Sequence, residues 1–291
     1  MSHTLKDKVA VITGGGTGIG EAICHKFASL GAKLVVVGLP TDPVDDVVTK
    51  LSSLGAEAIA YKGDVSIVAN AEDCVRLAVA TYKKIDVLVN NAGVFLAVAP
   101  VEKYPVEAFM ETMRANTATA FLMTHFAMPY LQASKGVVLF TGSESGIMGL
   151  GNNAVYGGTK AWLHGFMKGV AVEQAMHGVR ANCVCPGPID TAWTHKETGP
   201  MNAEMEKSLV SGTVLGRRGT PEEVANIFAF LASDEASYVT GALWSVDGGT
   251  TIAKGPVGDQ VPRDLRAEPE GELILEHSKD GLKNKSTINL M

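Results

Sequence analysis

Tyr156 and Lys160 stand four residues apart in the run Tyr156-Gly157-Gly158-Thr159-Lys160. A phenol is a poor base at neutral pH, its unperturbed pKa being near ~10. An ammonium held close by favours the phenolate and moves such a group toward the working range for proton transfer. On a helix, positions 156 and 160 are neighbours on one face. Alone, the pair is an ordinary feature of an exposed helix, and its company changes that reading. Ser143 closes an apolar run thirteen residues before Tyr156 and offers a hydroxyl to hold a carbonyl oxygen. Thr13-Gly14-Gly15-Gly16-Thr17-Gly18-Ile19-Gly20 and Asn90-Asn91-Ala92-Gly93 follow two further apolar runs. A proton donor with a cationic neighbour, a hydroxyl and a phosphate-binding turn together imply hydride transfer between a nicotinamide dinucleotide and an alcohol or carbonyl.

A glycine cluster by itself marks many ordinary turns. This one lies between a strand pattern and a helical pattern, which is the context a dinucleotide fingerprint requires. Gly14 allows the tight turn, Gly18 lets the backbone approach a pyrophosphate, and Gly20 permits close packing of helix on strand. The phosphates then meet the free N–H groups and positive dipole end of the helix. Asp64-Val65, after the third strand, fits a position beside the adenine.

Those spacings, with Pro186-Gly187 and Asp247-Gly248-Gly249, resemble the short-chain dehydrogenase/reductase family over roughly residues 5–250. The resemblance implies a catalytic tetrad of Asn116, Ser143, Tyr156 and Lys160, with Asn116 organising a proton relay to water. It implies cofactor contacts from Gly14, Thr17, Gly18, Ile19 and Gly20 in the turn, and from Leu39, Asp64 and Val65 after the second and third strands. It implies further cofactor contacts from Asn91, Ala92, Gly93, Tyr156, Ile189 and Lys160, the last reaching the ribose, and places Pro186, Gly187 and Thr191 around the nicotinamide. It also implies a homotetramer, or else a homodimer.

The elements that must position these groups can be read from periodicity. Short runs rich in Val, Ile and Leu alternate with longer helical patterns, the signature of βαβ units and a parallel sheet. Strands are expected at 8–12, 33–37, 56–61, 86–89, 136–141, 179–184 and 242–246. Helices are expected at 19–30, 43–54, 68–84, 106–131, 152–177 and 221–232. Near-continuous hydrophobicity fits strands covered on both faces. The expected fold is therefore a Rossmann-type, doubly wound α/β sheet of about seven parallel strands with helices on both faces. Residues 1–253 form one catalytic domain in this reading, and 254–291 a polar extension. Residues 188–218, including Trp193, His195, Gly199 and Pro200, break the rhythm as a lid would.

The 291 residues are 46% hydrophobic and 19% charged, with net charge −6 and no basic stripe, so neither nucleic acid nor a membrane surface is an expected partner. No apolar run approaches the ~20 residues of a membrane span, and no signal peptide is evident, so a cytoplasmic setting is expected. Cys24, Cys74, Cys183 and Cys185 show neither a disulfide framework nor a zinc spacing and are read as buried, reduced thiols. Cys183 and Cys185 would share one face of a strand. His164 is read as a helix-face residue, and no metal site is expected.

Three questions stay open at this level. The second strand ends in Gly38-Leu39-Pro40 and Thr41-Asp42, without the acid that selects NAD or the arginine that selects NADP. Asp42, folded back toward the ribose, would tilt the choice to NAD. Glu144 is read first as an exposed loop charge, with a role in shaping the substrate's polar end as the other reading. Gly157-Gly158 suits close packing more than room for a ligand. An oxidoreductase is the leading function, against a silent dinucleotide-binding sensor or scaffold and, third, an isomerase or dehydratase. In the extension, Leu273, Ile274 and Leu275 are the expected anchor on a neighbouring subunit or across the site.

Overall fold

Strands with no polar face need cover on both sides, and the architecture supplies it. The computed structural model describes residues 4–191 and 203–267. Seven parallel strands form one sheet in the order β3-β2-β1-β4-β5-β6-β7. They are β1 (Val9–Thr13), β2 (Lys33–Gly38), β3 (Ala58–Lys62), β4 (Val87–Asn90), β5 (Val137–Thr141), β6 (Arg180–Pro186) and β7 (Leu243–Val246). The helices are α1 (Gly18–Ser29), α2 (Val44–Ser53), α3 (Val68–Tyr82), α4 (Val106–Met113), α5 (Thr119–Ser134), α6 (Ala154–Gln174), α7 (Ala203–Gly212) and α8 (Pro221–Ala232). This is the doubly wound Rossmann-type sheet expected from the sequence.

Successive side chains along a strand leave on opposite faces, and two apolar layers result. Ile12, Val36, Val89 and Leu139 pack with Ile23 and Phe27 of α1, α2, and Phe228 of α8. Val11, Val35, Leu88 and Phe140 pack with α3, Met123 and Leu131 of α5, and Leu163 and Met167 of α6. Gly31 and Gly55 close α1 and α2 at φ +89° and +85°, a backbone region that glycine enters without a Cβ penalty. Thr220 and Glu223 cap α8 reciprocally, with Pro221 at its first position.

Two departures from the sequence reading bear on function. The helix expected over 106–131 is interrupted by a π-helical turn, Arg114–Ala118, which divides it into α4 and α5. Apolar periodicity does not register one widened turn inside a helix, and such turns recur at functional sites. The second departure is α7, which buries none of its described residues and so carries no apolar stripe that would announce it. Trp193, His195, Gly199 and Pro200 lie outside the described residues. Beside these, Gly258 of the polar extension approaches α7, where a Cβ on it would lie 2.5 Å from the Val210 carbonyl oxygen. Leu273, Ile274 and Leu275 lie outside the described residues. No helix among the described residues is long and apolar enough to cross a membrane.

The closest backbone approach in the glycine turn gives a test of this geometry. A Cβ on Gly20 would stand 1.9 Å from the Gly14 carbonyl oxygen and 2.6 Å from Asn91 Nδ2. Gly20→Ala should therefore lower the free energy of unfolding by about 3 kcal/mol. Denaturant titration measures this, and an unchanged midpoint would mean that α1 does not approach β1 as described.

Candidate active site

Strand order reverses between β1 and β4, and the ends of these two strands open the crevice in which such sheets bind ligands. Gly14 and Gly18 adopt φ +63° and +56°. Thr17 precedes α1 in an extended conformation without a side-chain cap bond, so no hydroxyl of its own occupies the helix N-terminus. Ile19 is half-buried against the α1 side of the core. Thr13 Oγ1 accepts the backbone N–H groups of Asn91 and Ala92, each at 3.0 Å. Asn91 Nδ2 donates to the carbonyls of Thr13 and Gly14, each at 3.1 Å. The glycine turn and the Asn90–Gly93 segment are thereby one unit.

The remaining expected cofactor positions line the same edge of the sheet. Thr191 lies over the turn, its Cγ2 3.5 Å from where a Gly18 Cβ would be. Pro186 ends β6 opposite Val246, and a Cβ on Gly187 would meet Asp247 Cα at 2.7 Å. Ile189 bridges to Gly219. Arg218, buried, pairs with Asp190 at 3.1 Å and with Glu206 of α7 at 3.1 Å, which fastens this loop to α7. Val65 is buried and Leu39 exposed. Asp64 holds Ser66 and pairs with Arg114 of the π-helical turn at 2.6 Å. Burial pushes the Asp64 carboxyl up, and the Ser66 bonds and Arg114 charge outweigh it, holding it below its ordinary value.

At the end of β5 the catalytic candidates converge. Lys160 is buried, its Nζ donating to the Thr141 carbonyl at 2.8 Å and standing 5.4 Å from the centre of the Tyr156 ring. Tyr156 is half-buried and packs on Phe95, ring centroids 4.7 Å apart. Ser143 Oγ accepts the Ser145 N–H at 3.1 Å, which leaves its own O–H available to donate. A Cβ on Gly157 would meet the Ser145 carbonyl oxygen at 2.6 Å, so this glycine seats α6 on the loop carrying Ser143. Gly158 faces open space. Asn116 is buried in the π-helical turn, with its carboxamide hydrogen-bonded through both nitrogen and oxygen. Its Oδ1 accepts Val94 N–H at 2.6 Å, and its Nδ2 donates to Val94 O and Thr159 Oγ1, each at 3.0 Å. The side chain thus ties the Val94 backbone to Thr159 of α6.

Glu144 departs from the expectation of an exposed loop charge. The 3₁₀ turn Glu144–Gly146 folds it inward, leaving it 9% exposed with Oε2 lacking a hydrogen-bond partner among the described residues. Burial first, and then the Asp247 charge, push its carboxyl up to about 7, against a Thr250 hydrogen bond that favours the anion. Nothing in the local composition around Ser143 announces this, because Asp247 and Thr250 arrive from the far end of the chain. A folded-state value above the ordinary 4.5 means that the folded protein holds the proton more tightly than the unfolded chain. Stability contributed by the protonated group is therefore lost as pH rises from 4.5 through about 7. Glu144→Gln should remove that loss and gain on the order of 2 kcal/mol at pH 8, with little difference from the unsubstituted chain at pH 5. Unfolding curves at the two pH values measure the difference, and an equal gain at both would contradict an ionisation effect.

With this geometry in place, comparisons with known proteins identify the fold's lineage. A short-chain dehydrogenase family model described as Enoyl-(Acyl carrier protein) reductase matches residues 14–251. The chain is 35% identical over 253 residues to a cyclohexanol dehydrogenase of Acinetobacter sp., covering 86% of this chain and 98% of that one. It is 36% identical over 251 residues to an L-rhamnose 1-dehydrogenase (NAD(P)(+)) of Sphingomonas sp., covering 85% and 98%. A 7α-hydroxysteroid dehydrogenase solved with NADH and 7-oxo glycochenodeoxycholic acid superposes with a TM-score of 0.79 at 29% identity, covering 85% and 95%. The chain belongs to the short-chain dehydrogenase/reductase family, NAD(P)-dependent enzymes that act on alcohol and carbonyl groups.

Proposed function

We propose that the protein interconverts a secondary alcohol and a ketone, with Tyr156 as the proton donor and acceptor. The observation that carries this reading is the buried Lys160 ammonium beside the Tyr156 ring, on one face of α6 at the open end of β5. The glycine turn fits a dinucleotide, since Gly14 makes the tight turn, Gly20 lets α1 pack closely on the end of β1, and Gly18 at φ +56° leaves the backbone open to a pyrophosphate. When bound, the nicotinamide supplies or accepts the hydride. Ser143 donates its O–H to the substrate oxygen and holds it near Tyr156. Tyr156 gives that oxygen a proton in the reducing direction and takes it back in the other. Lys160 stabilises the charge on the phenol oxygen and binds the ribose with its remaining N–H groups. Asn116 acts as a positioning residue for Val94 and Thr159.

The silent-scaffold reading is not favoured, since the relatives are named as dehydrogenases. Four free, buried cysteines suit a reducing compartment such as the cytoplasm. Exposed Phe109, Met110, Phe121 and Trp162 offer an apolar face for assembly as a homotetramer.

Tyr156→Phe should lower kcat by roughly 10²–10⁴-fold while leaving the cofactor Kd within about twofold, because it removes the proton and keeps the ring packing. Lys160→Met should lower kcat and weaken cofactor binding together. Screening secondary alcohols and ketones by nicotinamide absorbance, then repeating with the variants, measures both. Full turnover by Tyr156→Phe would overturn the mechanism.

For the cofactor we propose NAD over NADP. Asp42 Oδ2 accepts the Leu39 N–H at 2.8 Å, and a Cβ on Gly16 would touch Asp42 Cβ at 3.4 Å. A carboxylate therefore stands at the end of β2 beside the glycine turn, where it repels a 2′-phosphate. Asp42→Asn should shift the ratio of NADP to NAD dissociation constants by about tenfold toward NADP. Preference for NADP in the unsubstituted protein would defeat this assignment.

A further inference from the structure

The structure assigns a second chemistry to a cluster that the dehydrogenase reading leaves unused: we propose that His164, Cys183 and Cys185 form a buried Zn(II) site behind the Ser143 loop. Cys183 and Cys185 leave the same face of β6, and His164 of α6 lies one helical turn beyond Lys160. The sulfur atoms are 4.0 Å apart, and Cys185 Sγ is 3.3 Å from His164 Nε2. All three ligand atoms lie within 4.8 Å of one another. A point equidistant from three such corners is roughly 2.3 Å from each, which is the range of Zn–S and Zn–N bonds.

The chain also keeps this space clear. A Cβ on Gly142 would lie 2.5 Å from His164 Nε2 and 2.7 Å from Cys183 Sγ, and one on Gly146 would lie 2.6 Å from His164 Cε1. The cluster is therefore roofed by glycine backbone. Charge selects the ion. Two thiolates and a neutral imidazole around Zn(II) give a complex with no net charge, whereas a monovalent cation would leave a negative charge in a buried place. Binding forms two Zn–S bonds and one Zn–N bond, and each thiol that enters releases its proton to solvent. The linear spacing concealed this group, since Cys-x-Cys with a histidine nineteen residues earlier matches no common zinc pattern. The site stands independently of the catalytic assignment.

Full-length protein, stripped with a chelator under a non-thiol reductant, is titrated with Co(II) and then with Zn(II) in competition. One equivalent should bind, with a thiolate-to-cobalt charge-transfer band sized for two sulfurs and a Zn(II) Kd of about 1 µM or tighter. Zn(II) at a hundredfold excess over Kd should raise the melting temperature by roughly 5 °C. Cys183→Ala and Cys185→Ser should each abolish the band, and His164→Gln should weaken Zn(II) at least tenfold, with the apo variants still melting cooperatively. Absence of the charge-transfer band in the unsubstituted protein overturns the proposal whatever the variants do. So does affinity left intact in both cysteine variants, which would leave Cys185 and His164 as a simple buried hydrogen bond.

Discussion

The Asn91 carboxamide is the interaction on which the rest of the site depends. It donates to the carbonyls of Thr13 and Gly14 at the end of β1, and it accepts the Thr141 hydroxyl at 3.0 Å from the end of β5. Thr141 in turn offers its carbonyl to Lys160. Three strand ends and one helix are thus registered through a single side chain that uses both its nitrogen and its oxygen. Parallel strands leave their last peptide groups without ladder partners at this edge, and unpaired polar groups away from water are costly. One amide satisfies several of them together. The same bonds fix the distance between the phosphate-binding turn and the proton-transfer pair.

A parallel arrangement operates through the π-helical turn. Arg114 at its start binds Asp64 after β3, while Asn116 inside it binds Val94 after β4 and Thr159 on α6. A regular α-helix rotates each residue by a fixed step, and the widened turn changes the angle at which the following residues point. One interruption therefore lets the α4–α5 pair reach both sides of the crevice. Thr159 passes the constraint on, since its hydroxyl donates to the Tyr156 carbonyl at 2.7 Å. Asn116 thereby bears on the first turn of α6 through Thr159.

What the sequence made legible follows from how local each signal is. The strands and the glycine turn are written in contiguous residues, and their bounds in the structure differ from the expected ones by only a residue or two. The Tyr156 and Lys160 pair needs nothing beyond helical spacing. Glu144 was misread because its burial depends on Asp247 and Thr250, over a hundred residues away in the chain. Asp42 was ambiguous because a turn, rather than a strand position, brings its carboxylate back to Leu39. The helix α7 was missed because it lacks an apolar face. Of these, the burial of Glu144 is the one assembled from distant segments, while Asp42 and α7 turn on local features that apolar periodicity does not register.

Lys160 ties these points into a physical argument about function. An ammonium has three donors, and burial without partners for them is expensive. Among the described residues one donor is used, by Thr141 O, while the Tyr156 ring face lies 5.4 Å away and supplies a weaker attraction. A structural lysine in such a place would be expected to carry a carboxylate partner, which buried cations ordinarily need. Two acids of the surrounding loops are engaged elsewhere: Asp64 is held by Arg114, and Glu144 is set against Asp247. A buried cation with one of its three donors paired among the described residues is a costly feature of a kind that real proteins keep at functional sites. In the proposed mechanism a ribose diol beside Gly93, where a Cβ would lie 3.5 Å from Lys160 Nζ, would supply acceptors. In that mechanism, cofactor binding and proton transfer at Tyr156 would be coupled through the same charge.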